Sequence, residues 1–167
     1  MMLRPERQGD EAAIGAVTAA AFEGHPRSDG SEPKIIERLR AAGALTLSLV
    51  AEQEGEVVGH VAFSPVTFSG GERGWFGLGP IAVRPDVQGH GIGSRLVREG
   101  VRCLREGGAR GCVLVGEPAY YRRFGFSAEH GLSTPGIPRE YLLALPLNGP
   151  VPSGIVAFHP GFFGDAA

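Results

Sequence analysis

Three glycines in five residues, Gly89, Gly91 and Gly93, follow an apolar run that ends at Arg84-Pro85-Asp86. Proline lacks an N–H and fixes φ, so a strand through Leu78–Val83 must stop there. Glycine lets the backbone bend tightly and approach a bound group with no Cβ in the way. A helix opens directly afterwards, and its unpaired N–H groups and positive dipole end face the same turn. The chemistry on offer is phosphate binding. Three ligand classes share it: a nucleotide, a dinucleotide and coenzyme A.

The elements around this turn can be read in order. Met2–Glu6 is expected to be a strand. Asp10 is expected to cap a helix through Phe22, with Ala13, Ile14, Val17, Ala20 and Ala21 as its apolar stripe. Glu23–Gly30 reads as a surface loop. Ser31 is expected to cap a second helix that buries Ile35, Ile36 and Leu39 and ends at Gly43. Thr46–Gln53, Glu56–Phe68 and Trp75–Val83 read as three successive antiparallel strands, turned at Glu54-Gly55 and at Ser69–Gly74. The helix after the glycine turn runs from about His90 to Glu106 and buries Ile92, Leu96, Val97, Val101 and Leu104. Gly111–Gly116 is a strongly apolar strand, and a right-handed crossover sets it parallel to Trp75–Val83. Pro118 opens a short helix broken at Gly125, and strands are expected at Glu140–Pro146 and Gly154–Phe158.

The expected fold class is therefore α/β: a mixed, mostly antiparallel sheet with a central parallel β-α-β crossover and flanking helices. With 167 residues the chain fits one domain over 1–167, with 147–167 a C-terminal extension of it. A net charge of −2 argues against nucleic acid or an anionic membrane as partner. No apolar run approaches the ~20 residues of a membrane span, and the charged N-terminus is no signal peptide. Cys103 and Cys112 form no CxxC pair, which fits reduced thiols in the cytoplasm. His25, His90, His130 and His159 show no metal-ligand spacing, so no metal is expected.

Spacing narrows the ligand. A Rossmann site needs GxGxxG after an opening strand, but counting from Gly89 gives Ser94 in the third place, and the turn follows antiparallel strands. Glu117 could serve such a site as the acidic residue at the ribose. A Walker loop fails because no Gly-Lys-Ser/Thr is present. Gln88-Gly89-His90-Gly91-Ile92-Gly93 resembles the Q/R-x-x-G-x-G/A signature of the GCN5-related N-acetyltransferase (GNAT) superfamily. Tyr121-Arg122-Arg123-Phe124-Gly125-Phe126 is similar to that superfamily's Y-x-x-x-G-F element. The segments at 59–66, 77–83 and 115–126 resemble a bacterial subgroup of predicted acetyltransferases, and the resemblance spans about residues 2–146.

That resemblance implies an acetyl-CoA-dependent N-acetyltransferase in which an amine attacks the thioester directly. It implies that backbone groups of Ile81, Ala82 and Val83 pair with the acyl-pantetheine arm, as an added strand would. Backbone N–H groups of Gln88, Gly89, His90, Gly91, Ile92, Gly93 and Ser94 would hold the pyrophosphate. Tyr121 matches the family's general acid, since a phenol of pKa ~10 stays protonated at neutral pH. His60, in a strand near the expected active-site floor, and Glu117, where many members carry asparagine, are the candidate bases; ordered water is a third route. The acceptor is expected to be a small-molecule or peptide amine, and exposed C-terminal edge strands would suit a homodimer. An acyl-CoA-binding sensor of the same fold is the alternative, and a Rossmann-like oxidoreductase a remoter one.

Overall fold

In the computed structural model, which describes residues 1–164, the chain forms nine strands and four α-helices. They fall into two units, residues 1–63, 79–100 and 160–164 in the first and residues 64–78 and 101–159 in the second. The last three residues of the 147–167 extension lie outside the described residues.

The first unit starts with β1 (Met2–Pro5), then α1 (Glu11–Phe22), α2 (Glu32–Ala41) and β2 (Leu47–Gln53). β2 pairs antiparallel with β1, from Met2↔Glu52 to Pro5↔Leu49, and with β3 (Glu56–Pro65), from Leu47↔Phe63 to Gln53↔Glu56. The C-terminal half of β5 (Trp75–Val83) lies next to β3. There the Arg84 N–H donates to the Val58 carbonyl at 2.8 Å. Ile14, Ile36 and Val50 form a core between the helices and this sheet, and Phe162 of the tail packs on Ile35, Leu39 and Ala44. The other side receives α3 (Ile92–Glu106). Gly59 makes that approach close: a Cβ there would stand 3.1 Å from Leu96 Cδ1 and 3.3 Å from the Ala82 carbonyl oxygen. Missing side-chain bulk on β3 thus seats the first turns of α3 against the strand that leads into the glycine turn.

The second unit holds the N-terminal half of β5, β6 (Gly111–Val115) and β8 (Leu142–Pro146) in that order. β5 and β6 pair in parallel from Trp75↔Gly111 to Gly77↔Val113, as the crossover through α3 requires, and β8 runs antiparallel to β6. A separate small sheet joins β4 (Thr67–Phe68), β9 (Gly154–Ala157) and β7 (Leu132–Ser133). Phe68, Trp75, Val113, Leu132, Leu142 and Val156 make its core.

Several local expectations change. The single strand over 56–68 divides, because Pro65 has no N–H for the ladder and β4 turns away to pair with β9 at Thr67↔Ala157. The final strands are shorter: Arg139–Tyr141 is a 3₁₀ turn before β8, and β9 ends at Ala157. α3 begins at Ile92, two residues later than expected. Asp10 and Ser31 precede their helices but neither side chain caps one. The Asp10 carboxylate instead takes the Arg4 guanidinium at 2.7 Å and the Arg7 N–H at 2.8 Å. The Arg4 bond is the main reason its pKa falls to about 2, with burial opposing and the Arg7 N–H adding to the fall.

Candidate functional site

β5 delivers the turn. After Val83, Arg84 leaves the strand and Pro85–Val87 makes a 3₁₀ turn. Gln88 then ties the turn back: its side-chain amide donates to the Val83 carbonyl at 2.9 Å, and its backbone N–H faces the Pro85 carbonyl at 3.4 Å. Gly89 and Gly91 hold φ of 82° and 84°, which L side chains rarely adopt, and a Cβ at either would meet nothing within 4 Å. The Cβ direction at both glycines is thus free of other protein atoms. α3 starts immediately, with the Arg95 N–H bonded to the Gly91 carbonyl at 3.1 Å. The turn, the open space and the positive helix end therefore coincide, and they fit a pyrophosphate. In the strand, Ala82 is buried while Ile81 and Val83 are half-buried.

Tyr121 is built by its neighbours in the second unit. Pro118 opens α4 (Pro118–Tyr121), and the Glu117 carbonyl accepts the N–H groups of both Tyr120 and Tyr121 at 3.1 Å. Gly125, at φ 95°, ends the following 3₁₀ turn and sends the buried Phe126 back under Tyr121, ring centroids 6.1 Å apart. Gly116 admits the ring: a Cβ there would lie 2.6 Å from Tyr121 Cε2. Burial is the main cause that pushes the phenol up to about 12, so the group keeps its proton at any ordinary pH. Among the described residues the Tyr121 hydroxyl has no hydrogen-bond partner, so its proton is uncommitted. Tyr120 packs on Phe124 and beneath the Arg123 guanidinium, 4.4 Å from its centroid. Glu117 is exposed at the start of α4.

His60 is fully buried on β3 and belongs to a chain that sequence reading missed. Its Nε2 is 2.8 Å from Ser48 Oγ, Ser48 Oγ is 2.6 Å from Glu6, and Arg40 grips Glu6 at 2.9 and 3.0 Å. Burial raises the Glu6 carboxyl, but the bonds from Arg40 and Ser48 outweigh it and hold it below its ordinary value. The Ser48 hydroxyl has one proton and gives it to Glu6, so it accepts Nε2–H from His60. That leaves Nδ1 bare, and it is buried without a partner. The available signal was Ser48 itself, a polar residue two positions from buried Val50 on an alternating strand.

Burial lowers the His60 pKa to about 4. The unfolded chain binds this proton near pH 6.5, so its share of stability is complete above pH 6.5 and is lost as pH falls toward 4. The loss is about 3 kcal/mol at one unit of pKa per 1.36 kcal/mol. Urea midpoints measured between pH 6.5 and 4.5, above the Asp10 window, should fall steeply in the wild type and flatten in His60→Gln. Equal slopes in the two proteins would remove the assignment.

Among the described residues no three His, Cys, Asp or Glu side chains gather as a metal site would require. No helix is long and apolar enough to cross a membrane.

An α/β fold with a glycine turn at the start of its crossover helix, and a short helix bearing a tyrosine after the next strand, is the acetyltransferase class of fold. The sequence profile of the acetyltransferase (GNAT) family matches residues 13–126, and the chain belongs to that family. N-acetyltransferase YhbS of Escherichia coli strain K12 is 40% identical over 171 aligned residues, covering 97% of this chain and 98% of that protein. A crystal structure of a GNAT family acetyltransferase from Brucella melitensis in complex with acetyl-CoA matches at TM-score 0.87 and 50% identity, covering 96% of this chain and 97% of that one. The crystal structure of YhbS from Escherichia coli in complex with CoA matches at TM-score 0.86 and 36% identity, covering 99% and 93%.

Proposed function

We propose that the protein transfers the acetyl group of acetyl-CoA to a small-molecule or peptide amine by direct attack of the amine on the thioester. The observation that carries this is the open turn at Gly89 and Gly91 on the first turn of α3, in a chain whose relatives hold acetyl-CoA and CoA. The thioester supplies an activated acetyl group; the chain supplies position and protons. Backbone N–H groups from Gly89 to Ser94 cradle the pyrophosphate, with Gln88 bracing them from behind. Backbone groups of Ile81, Ala82 and Val83 align the pantetheine arm in the manner of an added strand. By analogy with the family, a strand N–H near Ile81 would meet negative charge on the acetyl oxygen. Tyr121 gives its proton to the leaving thiolate.

For the base, exposure separates the candidates. His60 is sealed and its Nε2 proton is held by Ser48, whereas the exposed Glu117 is open to an incoming ammonium. We assign proton removal to Glu117. Glu117→Gln should lower kcat at least roughly tenfold. If its pH–rate profile instead overlays the wild type, ordered water is the base.

The cofactor reading is tested by thermal melts. Acetyl-CoA should raise Tm and NAD should not, and free thiol should appear when amines are added. Stabilisation by NAD alone would defeat the proposal. A shift with acetyl-CoA but no thiol release across an amine panel would favour the sensor reading, which draws on Glu117 standing where many relatives carry asparagine. We place the protein in the cytoplasm, a location supported by two cysteines that form no disulfide, Cys112 buried and Cys103 half-buried.

A further inference from the structure

Four aromatic rings cluster at α4 in the second unit, and one of them carries the acid. The Tyr121 ring lies with centroids 4.9 Å from Tyr120, 6.2 Å from Phe124 and 6.1 Å from Phe126. The Tyr120 ring is the nearest of the three and stands at 90° to it. Tyr120 also meets Phe124 at 5.5 Å, and the Arg123 guanidinium lies 4.4 Å over its centroid. These neighbours differ in what the fold asks of them. Phe126 is 2% exposed and belongs to the core whatever Tyr121 does. Tyr120 is half-buried and Arg123 is exposed, so the core gains little from their pairing. What the cation does is hold the face of the Tyr120 ring in one place.

A phenol that delivers a proton needs its oxygen at one point. Oη lies on the Cβ–Cγ axis, so spinning the ring leaves it in place, whereas rotation about χ1 carries it away. A hydrogen bond to the hydroxyl would ordinarily hold that angle, and among the described residues the Tyr121 hydroxyl makes none. Gly116 gives the ring room, since a Cβ there would lie 2.6 Å from Cε2, but room does not fix direction. Ring packing is left to do so. Perpendicular ring pairs attract beyond their buried area, and the attraction fades quickly as one ring leaves its seat. We propose that Tyr120 is a positioning residue: its ring, held beneath the Arg123 guanidinium, keeps the Tyr121 hydroxyl where it donates its proton. The proposal rests on the transferase reading above and adds a residue that acts without touching substrate.

The test follows thiol release by the full chain with acetyl-CoA and butylamine. Tyr120→Leu should lower kcat about tenfold and leave KM for acetyl-CoA within about twofold. Tyr120→Phe, which keeps the ring, should hold kcat within about twofold of wild type. Arg123→Gln, which leaves the rings in place and removes the charge over one of them, should lower kcat about threefold. In a Tyr121→Phe background Tyr120→Leu should cost nothing further, because the hydroxyl it positions is gone. A merely structural tyrosine would lower the double variant by its full factor. A second measurement needs no turnover. The chain has three tyrosines, Tyr120, Tyr121 and Tyr141, so single substitutions assign their resonances. Three-bond couplings across the Tyr121 Cα–Cβ bond should report one χ1 rotamer in wild type and Tyr120→Phe, and averaging in Tyr120→Leu. One rotamer in all three proteins, an undiminished kcat in Tyr120→Leu, or a further tenfold loss in the double variant would each overturn the proposal. Absence of thiol release from the wild type with every amine tried would instead defeat the transferase reading, and the couplings would still decide whether Tyr120 holds its neighbour.

Discussion

Tyr121→Phe is expected to lower kcat by about 10³-fold with acetyl-CoA binding unchanged. The substitution removes one oxygen and keeps the ring. The contacts to Tyr120, Phe124 and Phe126 and the fit over Gly116 survive, and no hydrogen bond within the protein is lost. Tm should therefore move by no more than about 2 °C. The catalytic loss is large because the departing thiolate then has no positioned donor. Burial has already raised the phenol to about 12, so below that pH the wild-type rate should show no alkaline limb from this group. A kcat within threefold of wild type would remove Tyr121 from the chemistry. Gly116→Ala offers a second view: it keeps the hydroxyl but drives a methyl into the ring edge, and kcat should fall through displacement alone.

Gly91→Glu is expected to weaken CoA binding by at least about a hundredfold. Two effects act. The left-handed backbone at φ 84° costs any L residue about 1–2 kcal/mol, and a carboxylate a few ångströms from a pyrophosphate costs about 4 kcal/mol at an effective dielectric of 20. The second dominates, and Gly91→Ala separates them, since alanine carries the backbone strain without the charge and meets no neighbour within 4 Å. Calorimetry should give a small change for alanine and near-complete loss for glutamate, with both proteins folded by circular dichroism. Equal affinities for glutamate and alanine would show that no phosphate lies over the turn.

The course of β5, the glycine turn, α3 and β6 was legible because each boundary has a local cause. Proline stops the strand, glycine makes the bend, and the 3.6-residue apolar period of α3 fixes its buried face. The short helix carrying Tyr121 was legible from Pro118 at its start and Gly125 at its end. The features that escaped depend on partners far along the chain. β4 leaves β3 to pair with Ala157, some ninety residues on, and no local pattern announces that. Asp10 has the right type and place for a cap, yet a guanidinium from β1 outcompetes the helix N–H groups for it. His60 looked like a base by residue type. Its environment, a hydroxyl from β2 and a carboxylate beyond β1, follows from strand register.

The brace formed by Gln88 bears on what the first letter of the Q/R-x-x-G-x-G/A signature encodes. Its amide reaches back to the carbonyl that ends β5, so that position asks for an N–H at the end of a flexible stem. Glutamine and arginine share that property, while glutamate, equal in length to glutamine, has only acceptors to offer. In this chain the side chain at position 88 thus answers a hydrogen-bond polarity inside the protein. A residue can be part of a ligand-binding signature while its side chain serves the strand behind it.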